Sequence, residues 1–386
     1  MINFKIYNKV QHLPGSWNAL PTNDLFLKTD FLKGLEKSYP KNITAYYVGI
    51  FKSEKLVGVA IIQRVEMYID NVFRRTSTNY FKHLAKKLIS KIVKGNALVV
   101  GNLMHTGQHG LFFLSEDISQ EAFLQEVYKA INKLTVIIKK TFNKKIRIVT
   151  FKDYFEDDSI HDSVNFFKSK SLYKAQAQPN MMFSADTNWM NMDDYCSALT
   201  KKYRRRYKTA RNRVGLLENR ELNLNDLHYL SSELFRLYKN VSDNARVNSF
   251  ILPHNHFVSF KENLGERFKV FGYFQEDKLI GFYSLVLNND ILETYFLGYD
   301  QQLQRKHQMY LNMLYNMVDF AIQNNFKTVV YARTAMEIKS SIGAKPFKMH
   351  IYVKHANNII VNTVLSLIVK YMNPLRKWEE RHPFKT

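Results

Sequence analysis

A chain of 386 residues with 46% apolar side chains has enough material for a sizeable buried core, which excludes wholesale disorder and makes two to three domains the expectation. The net charge of +22 points to a phosphate-rich or otherwise anionic partner, although surface lysines of a generally basic proteome account for such an excess equally well. The lone Cys196 cannot form an internal disulfide and indicates a reducing compartment, and Met1–Leu20 carries no apolar run of the secretory kind. The most apolar tract, Ile359–Met372, is short and broken by Asn362 and Lys370, so no spanning helix is expected. A cytoplasmic protein follows, with peripheral contact at the inner face of an anionic plasma membrane as an option.

Trp17–Leu35 reads as a loop followed by a helix with Phe31, Leu32 and Leu35 on its apolar face. Tyr46–Tyr68 then carries two β-favouring runs around a short polar turn, the pattern of a hairpin. Asn71–Lys94 is a basic insertion, helical around Tyr80–Val93. Ala97–Val100 is a strand that ends in the loop GNLMHTGQHG. A 3.6-residue pattern over Glu121–Thr141 (Phe123, Val127, Ala130, Leu134, Ile137, Ile138) marks a helix, and Lys145–Phe151 the strand after it. Asn165–Asp186 ends as an extended segment.

Asp193–Arg213 reads as one helix with acidic residues at its start and cations over most of its surface. Arg220–Asn244 is helical by its leucine spacing, and His254–Leu264 follows Pro253 as a further helix. Phe271–Ile280 opens a second hairpin, followed by strand Ile291–Tyr299, helix Met309–Asn324, strand Lys327–Tyr331 and strand Lys348–Lys354. The two hairpins match at an offset of 223 residues: Gly49, Phe51, Leu56 and Gly58 fall on Gly272, Phe274, Leu279 and Gly281. The fold class is therefore α/β (α+β), with two tandem modules at 1–186 and 187–386. Each is a mixed, mostly antiparallel sheet flanked by helices. The amphipathic tract Asn357–Tyr371, followed by Arg376 and Lys377, suits either packing against the second module or a membrane surface.

The order hairpin, strand, helix, strand resembles the GNAT (Gcn5-related N-acetyltransferase) fold. The tandem pair, with LPTNDLFLKTDFLKGLE, GNLMHTGQHG, LTKKYRRRYKTARNR, YARTAMEIKSSIGAKP and RHPFK, resembles the FemAB-like branch and a bacterial group described as N-acetyltransferases or peptidoglycan biosynthesis/recognition proteins. The resemblance implies an N-acyltransferase that takes an acyl group from acyl-CoA, such as acetyl-CoA, or an aminoacyl group from aminoacyl-tRNA. The acceptor it implies is an amine, with a cell-envelope precursor as candidate. It also places a Q/R-x-x-G-x-G/A phosphate turn at Gln304-Arg305-Lys306-His307-Gln308-Met309, where both glycine positions carry side chains. Gln304, Arg305 and Lys306 are then the cofactor-binding candidates, with the two cations replacing backbone N–H groups by charge.

Acyl transfer to an amine needs a polarised carbonyl, a neutral amine and a route for its proton. Glu293 as base and Tyr295 as acid toward the leaving group are the catalytic candidates; strand alternation makes them ordinary core or surface residues otherwise. Arg333 and Lys339, after the last core strand, are candidates for a substrate phosphate, while Glu337 and Lys339 read equally as solvated helix charges. Asn102, His105 and His109 are candidate substrate contacts in a glycine-rich loop, which lacks the acidic or cysteine partners of a zinc site. Eight cations within Lys201–Arg213, among them Arg204, Arg205, Arg206, Lys208 and Arg211, form an anion-binding candidate for tRNA, CoA or lipid phosphates. There is no Ser-His-Asp arrangement, Walker loop or CxxC pair. The alternative reading is a non-catalytic GNAT-fold module that binds a peptidoglycan, lipid or nucleic-acid polyanion.

Overall fold

The computed structural model describes residues 1–67, 94–245, 248–356, 358–371 and 378–385. The helix expected around Tyr80–Val93 lies outside them, as do Arg376 and Lys377. Unit 1 comprises Met1–Ala177, Ala245–Ile251 and Lys348–Leu375; unit 2 comprises Gln178–Asn244, Leu252–Phe347 and Arg376–Thr386. The sequence reading instead divides the chain once, at 186/187.

Unit 1 carries β1 (Ile2–Tyr7), α1 (Thr29–Lys37), β2 (Ile43–Lys52), β3 (Lys55–Met67), β4 (Gly95–Val100), β5 (Leu111–Phe113), α2 (Gln120–Phe142), β6 (Ile146–Phe155) and α3 (Val164–Ser169). Its sheet runs β1-β2-β3-β4-β6, parallel between β4 and β6 and antiparallel elsewhere, with β5 pairing on β3. Helix α2 starts where the Ser119 hydroxyl accepts the Ala122 N–H and ends at left-handed Asn143. Its stripe of Phe123, Val127, Ala130, Ile131, Leu134 and Ile138 is buried against Val48, Ile50, Val57 and Ala60 of the β2–β3 hairpin. Each of the larger side chains contributes roughly 1.5–3 kcal/mol.

Unit 2 contains most of β7 (Tyr173–Ser184), then α4 (Met192–Ala198), α5 (Lys201–Val214), β8 (Glu218–Glu221), α6 (Leu224–Tyr229), α7 (Ser231–Asn244) and α8 (His256–Leu264). Strands β9 (Phe268–Gln275), β10 (Lys278–Asn288) and β11 (Ile291–Tyr299) follow, then α9 (Gln301–His307), α10 (Met309–Gln323), β12 (Thr328–Val330) and α11 (Met336–Ser340). The sheet runs β8-β9-β10-β11-β12-β7, again with one parallel pair, β11 and β12. The last elements are β13 (Lys345–His355) and α12 (Ile359–Tyr371).

The repeat extends to atomic detail. Phe51 pairs with Leu56 and Ile50 with Gly58, so Val57 bulges; Phe274 pairs with Leu279 and Tyr273 with Gly281, so Ile280 bulges. Ser53 and Glu276 hold the two turns in left-handed conformations, at φ 56° and 54°. A Cβ on Gly58 would stand 2.7 Å from the Phe123 ring of α2, and one on Gly281 would stand 2.2 Å from Met309 of α10. A Cβ is thus crowded where each hairpin meets its helix, against a rigid ring at Gly58 and against flexible methionine ends at Gly281.

The sixth strand of each sheet comes from elsewhere in the sequence. Strand β13, from the far end of the chain, pairs antiparallel with β6 and completes unit 1; β7, which follows β6 in sequence, pairs with β12 and completes unit 2. Helix α12 accordingly packs on unit 1, with Val361, Val364 and Leu365 against Ala97, Ile148 and Val353. The expectation that it packs on the second module is corrected by this exchange. Ile359, Ile360 and Leu367 remain exposed. No helix among the described residues is long and apolar enough to cross a membrane.

Two helical readings are also corrected. The basic region is two helices, because Leu199 turns extended and Thr200 restarts the chain as α5. Arg220–Asn244 begins as edge strand β8, and helix α6 starts only at the Asn223–Asp226 capping box.

Candidate functional site

Helix α5 buries Tyr203 and Ala210 and leaves its cations outward, as a stripe with few apolar positions must. It is fastened to α10 by Asn312, fully buried, whose amide donates to the carbonyls of Ala210 (2.9 Å), His307 (3.2 Å) and Gln308 (3.2 Å). The His307 Nδ1 meets the Arg213 carbonyl at 2.8 Å and ties α9 to the end of α5. Between these walls lies a cleft of about 500 Å³, lined by Lys202, Arg205, Arg206, Thr209, Arg213, Gln304, Arg305, Gln308, Leu311 and Ile338. Five cations and no carboxylate face it. Such a concentration of one sign focuses the field on an anion, and the first turn of α10, entered through Gln308, adds its dipole.

The sequence reading placed Gln304 and Arg305 near a phosphate, and Arg205 and Arg206 on an anion-binding helix; the fold brings all four to one cleft. It does not form the expected turn. Asp300 caps Gln302 and Leu303, so residues Gln301–His307 coil into a helix, and the chain reverses through Gln308 at φ 48°. Side chains therefore replace the backbone cradle that glycines would provide. Lys202 and Arg213, two of the eight cations of the basic segment, join them in the lining, whereas sequence reasoning missed Gln308 as a lining residue and His307 and Asn312 as fasteners. The density of cations around Arg205 was the signal for Lys202 and Arg213.

The remaining cations have other settings. Arg204 turns back on α4, donating to the carbonyls of Cys196 (3.1 Å), Ser197 (3.3 Å) and Leu199 (3.0 Å), so it closes a helix end and lines no part of the cleft. Lys208 and Lys306 are exposed and line no part of the cleft. Arg211 faces a different cavity.

Glu293 and Tyr295 lie on β11 away from the cleft lining. Leu292 joins the core under α10, and alternation turns Glu293, which is buried, to the opposite face. Tyr295 is stacked on Phe260 and His256 of α8, its hydroxyl 3.0 Å from His256 Nε2. This geometry gives the pair no proton-transfer role at the cleft. Lys339 is likewise turned inward: its ammonium donates to the carbonyls of Tyr331 (2.5 Å), Ala332 (3.3 Å) and Arg333 (2.8 Å). All three of its N–H bonds are used, so none is left for a substrate phosphate. Burial pushes its pKa down to about 7. The loop it holds carries Ala332, Thr334 and Ala335 at positive φ, strained for residues with a Cβ. Arg333 lies in that loop, and burial lowers its pKa to about 10.

In unit 1 the loop of residues 101–110 is locked by its own polar groups. Asn102, buried, accepts from Gln63 Nε2 (3.0 Å) and the Met104 N–H (3.1 Å). His105 packs its ring against Phe26 and Phe31, and its carbonyl accepts from Lys152 (2.7 Å). His109 Nδ1 meets Asp24 Oδ2 at 2.8 Å. These three residues hold the loop in place and belong to a different unit from the cleft. Among the described residues there is no group of three or more potential metal ligands.

No family model matches the sequence, and no curated protein does. Similar solved structures include FemX, with a TM-score of 0.51 at 9% identity, covering 95% of this chain and 100% of that one. A tandem GNAT protein from the clavulanic acid biosynthesis pathway also scores 0.51 at 9% identity, over 93% of this chain and 99% of its own. A conserved protein of unknown function from Bacteroides thetaiotaomicron scores 0.50 at 10% identity, over 92% and 99%. At such identities the likeness establishes the fold alone, the tandem architecture that this chain shares with FemX and with the tandem GNAT protein.

Proposed function

We propose that this chain is an N-acyltransferase whose phosphate-bearing donor is held in the basic cleft of unit 2. The carrying observation is that cleft: five cations from α5, α9 and their ends, unopposed by any carboxylate, at the start of the helix that follows β11. Arg205, Arg206 and Arg305 bind phosphate, and Gln304 and Gln308 orient it by hydrogen bonds. The acyl or aminoacyl carbonyl is then attacked directly by a neutral amine. The C–N bond forms as the C–S bond of an acyl-CoA or the C–O ester of an aminoacyl-tRNA breaks, and the amine proton leaves to solvent. The acceptor class we favour is an amine of a cell-envelope precursor, and the reaction is placed in the cytoplasm.

A second reading is favoured by a specific feature. The cleft lining has no carboxylate, histidine or tyrosine to move a proton, and its turn is closed by a helix. A non-catalytic module that only binds a polyanion would look the same.

The test is a binding and turnover panel. Acetyl-CoA, longer acyl-CoAs and charged tRNA are titrated against the wild type, Arg205→Glu/Arg206→Glu and Gln304→Ala/Arg305→Glu. Saturable binding of one donor, weakened about tenfold or more in both double variants, with acyl transfer to an amine, supports the transferase. Binding of every polyanion alike with no transfer replaces it by the second reading, and binding unaffected by either double variant removes the cleft from both.

A further inference from the structure

A second cavity of unit 2, about 480 Å³, lies on the other side of α5 and shares no lining residue with the basic cleft. Helical spacing explains the separation. Arg205, Arg206, Thr209 and Arg213 face the cleft, whereas Tyr207, Arg211 and Val214, spaced i, i+4 and i+7, face this cavity. Helix α10 divides in the same way, with Gln308 and Leu311 at the cleft and Asn316, Asp319, Phe320 and Gln323 at the cavity.

One wall presents a positioned cation. Arg211 Nη1 donates to Asn316 Oδ1 (2.5 Å) and more weakly to Asn312 Oδ1 (3.4 Å), and its guanidinium lies 5.3 Å from the Tyr207 ring centroid and 5.7 Å from that of Tyr315. Asn316 is itself fixed, donating to the Tyr273 hydroxyl (2.7 Å) and Asn219 Oδ1 (2.9 Å). Another wall presents a carboxylate: Asp319 accepts from Gln323 Nε2 at 2.8 Å. Among the described residues neither Arg211 nor Asp319 has an opposite charge within ion-pair distance. They line one cavity without contacting each other. Both side chains are half-buried, and a charge drawn partly out of water gains from an opposite charge beside it. Asp319 shows the consequence, since burial raises its carboxyl pKa and Arg211 only partly offsets this. The remaining lining is apolar and flat, from Phe271, Phe320 and the ring of Tyr283.

We propose that this cavity binds a zwitterionic small molecule of the α-amino acid class with an apolar or aromatic side chain. The ligand carboxylate meets the Arg211 guanidinium, whose planar fork matches it. Its ammonium meets Asp319, and its side chain lies against Phe271 and Phe320. The volume is within the range of small-molecule sites. The inference does not rest on the transferase reading, because the cleft and this cavity have no residue in common.

Calorimetric titration of the full chain with L-phenylalanine and L-leucine tests it. Phenylpropionate, which lacks the amine, and phenethylamine, which lacks the carboxylate, serve as controls. The expected result is saturable amino-acid binding, at least about tenfold tighter than either control and weakened about tenfold or more by Asp319→Asn. Asp319→Asn keeps the shape of the side chain and an acceptor for Gln323. Phe320→Ala supplies a second variant should that one fail to fold, and its expected effect is a loss of L-phenylalanine binding. The cleft variant Arg205→Glu/Arg206→Glu leaves amino-acid binding unchanged. No binding of either L-phenylalanine or L-leucine at about 10 mM, or equal binding of phenylpropionate or phenethylamine, overturns the proposal. Binding retained in both cavity variants overturns it as well.

Discussion

Replacing Lys339 by methionine separates a structural lysine from a phosphate ligand. The side chain is 4% exposed and its ammonium bonds three carbonyls of the loop after β12. A hydrogen bond to a charged group contributes about 1.5–3 kcal/mol. These three do not add, because their acceptors lie on consecutive residues that move together. The buried ammonium also carries a desolvation penalty, seen in its pKa of about 7, which methionine removes. A net loss of about 3 kcal/mol remains, since the carbonyls lose their donor and the left-handed Ala332, Thr334 and Ala335 lose the tether that holds them. For a unit of this size that lowers Tm by roughly 6–12 °C. Urea denaturation followed by circular dichroism measures the loss, and hydrogen exchange over residues 331–340 locates it. Donor binding in the basic cleft should persist at temperatures where the variant is folded. A variant within about 0.5 kcal/mol of wild type that has lost donor binding would refute the structural role and return Lys339 to the substrate site.

Other perturbations check the packing and the division of labour on α5. A Cβ at Gly298 would lie 2.4 Å from backbone atoms of Leu237 and Tyr238, so Gly298→Ala forces β11 from α7 and destabilises by about 3 kcal/mol or more in a urea melt. Gly58→Ala should be worse than Gly281→Ala by about 1 kcal/mol. The first meets a Phe123 ring and the Phe112 carbonyl, the second the mobile ends of Met309 and Met313. Arg204→Ala should cost about 1 kcal/mol of stability without changing anion affinity, whereas Arg206→Ala should do the reverse; affinity and melting measured on both variants decide. Tyr295→Phe should lose about 1 kcal/mol, by release of His256, and leave donor binding and turnover as they are.

Much of the cleft was legible because charge density is a local property. Eight cations within Lys201–Arg213 mark an anion face wherever the helix is put, and the resemblance to the GNAT phosphate turn implies Gln304 and Arg305 at the head of the helix after β11. Which cations serve was not legible. Arg204, Arg206 and Arg211 differ only in where their helical phase directs them: back to the carbonyls of α4, into the cleft, or into the second cavity. Glu293 and Tyr295 failed for a similar reason. Alternation puts them on one face of β11, and only the placement of α8 and α10 decides which face that is.

From residues alone came the repeat and, with it, the tandem fold, since a bulged hairpin with a helix pressed on it favours the same glycines and apolar residues each time it is built. The pairing of the sixth strands came only from the tertiary structure. Strands β7 and β13 both carry generic β-patterns, and the choice between exchanging them and keeping each with its neighbours in sequence depends on contacts between residues about 200 positions apart, such as Tyr352 with Phe151. Local propensity carries no information over that distance. The same holds for Lys339, whose charge reads as a surface residue until the loop of Tyr331–Arg333 folds over it and takes every proton it can donate.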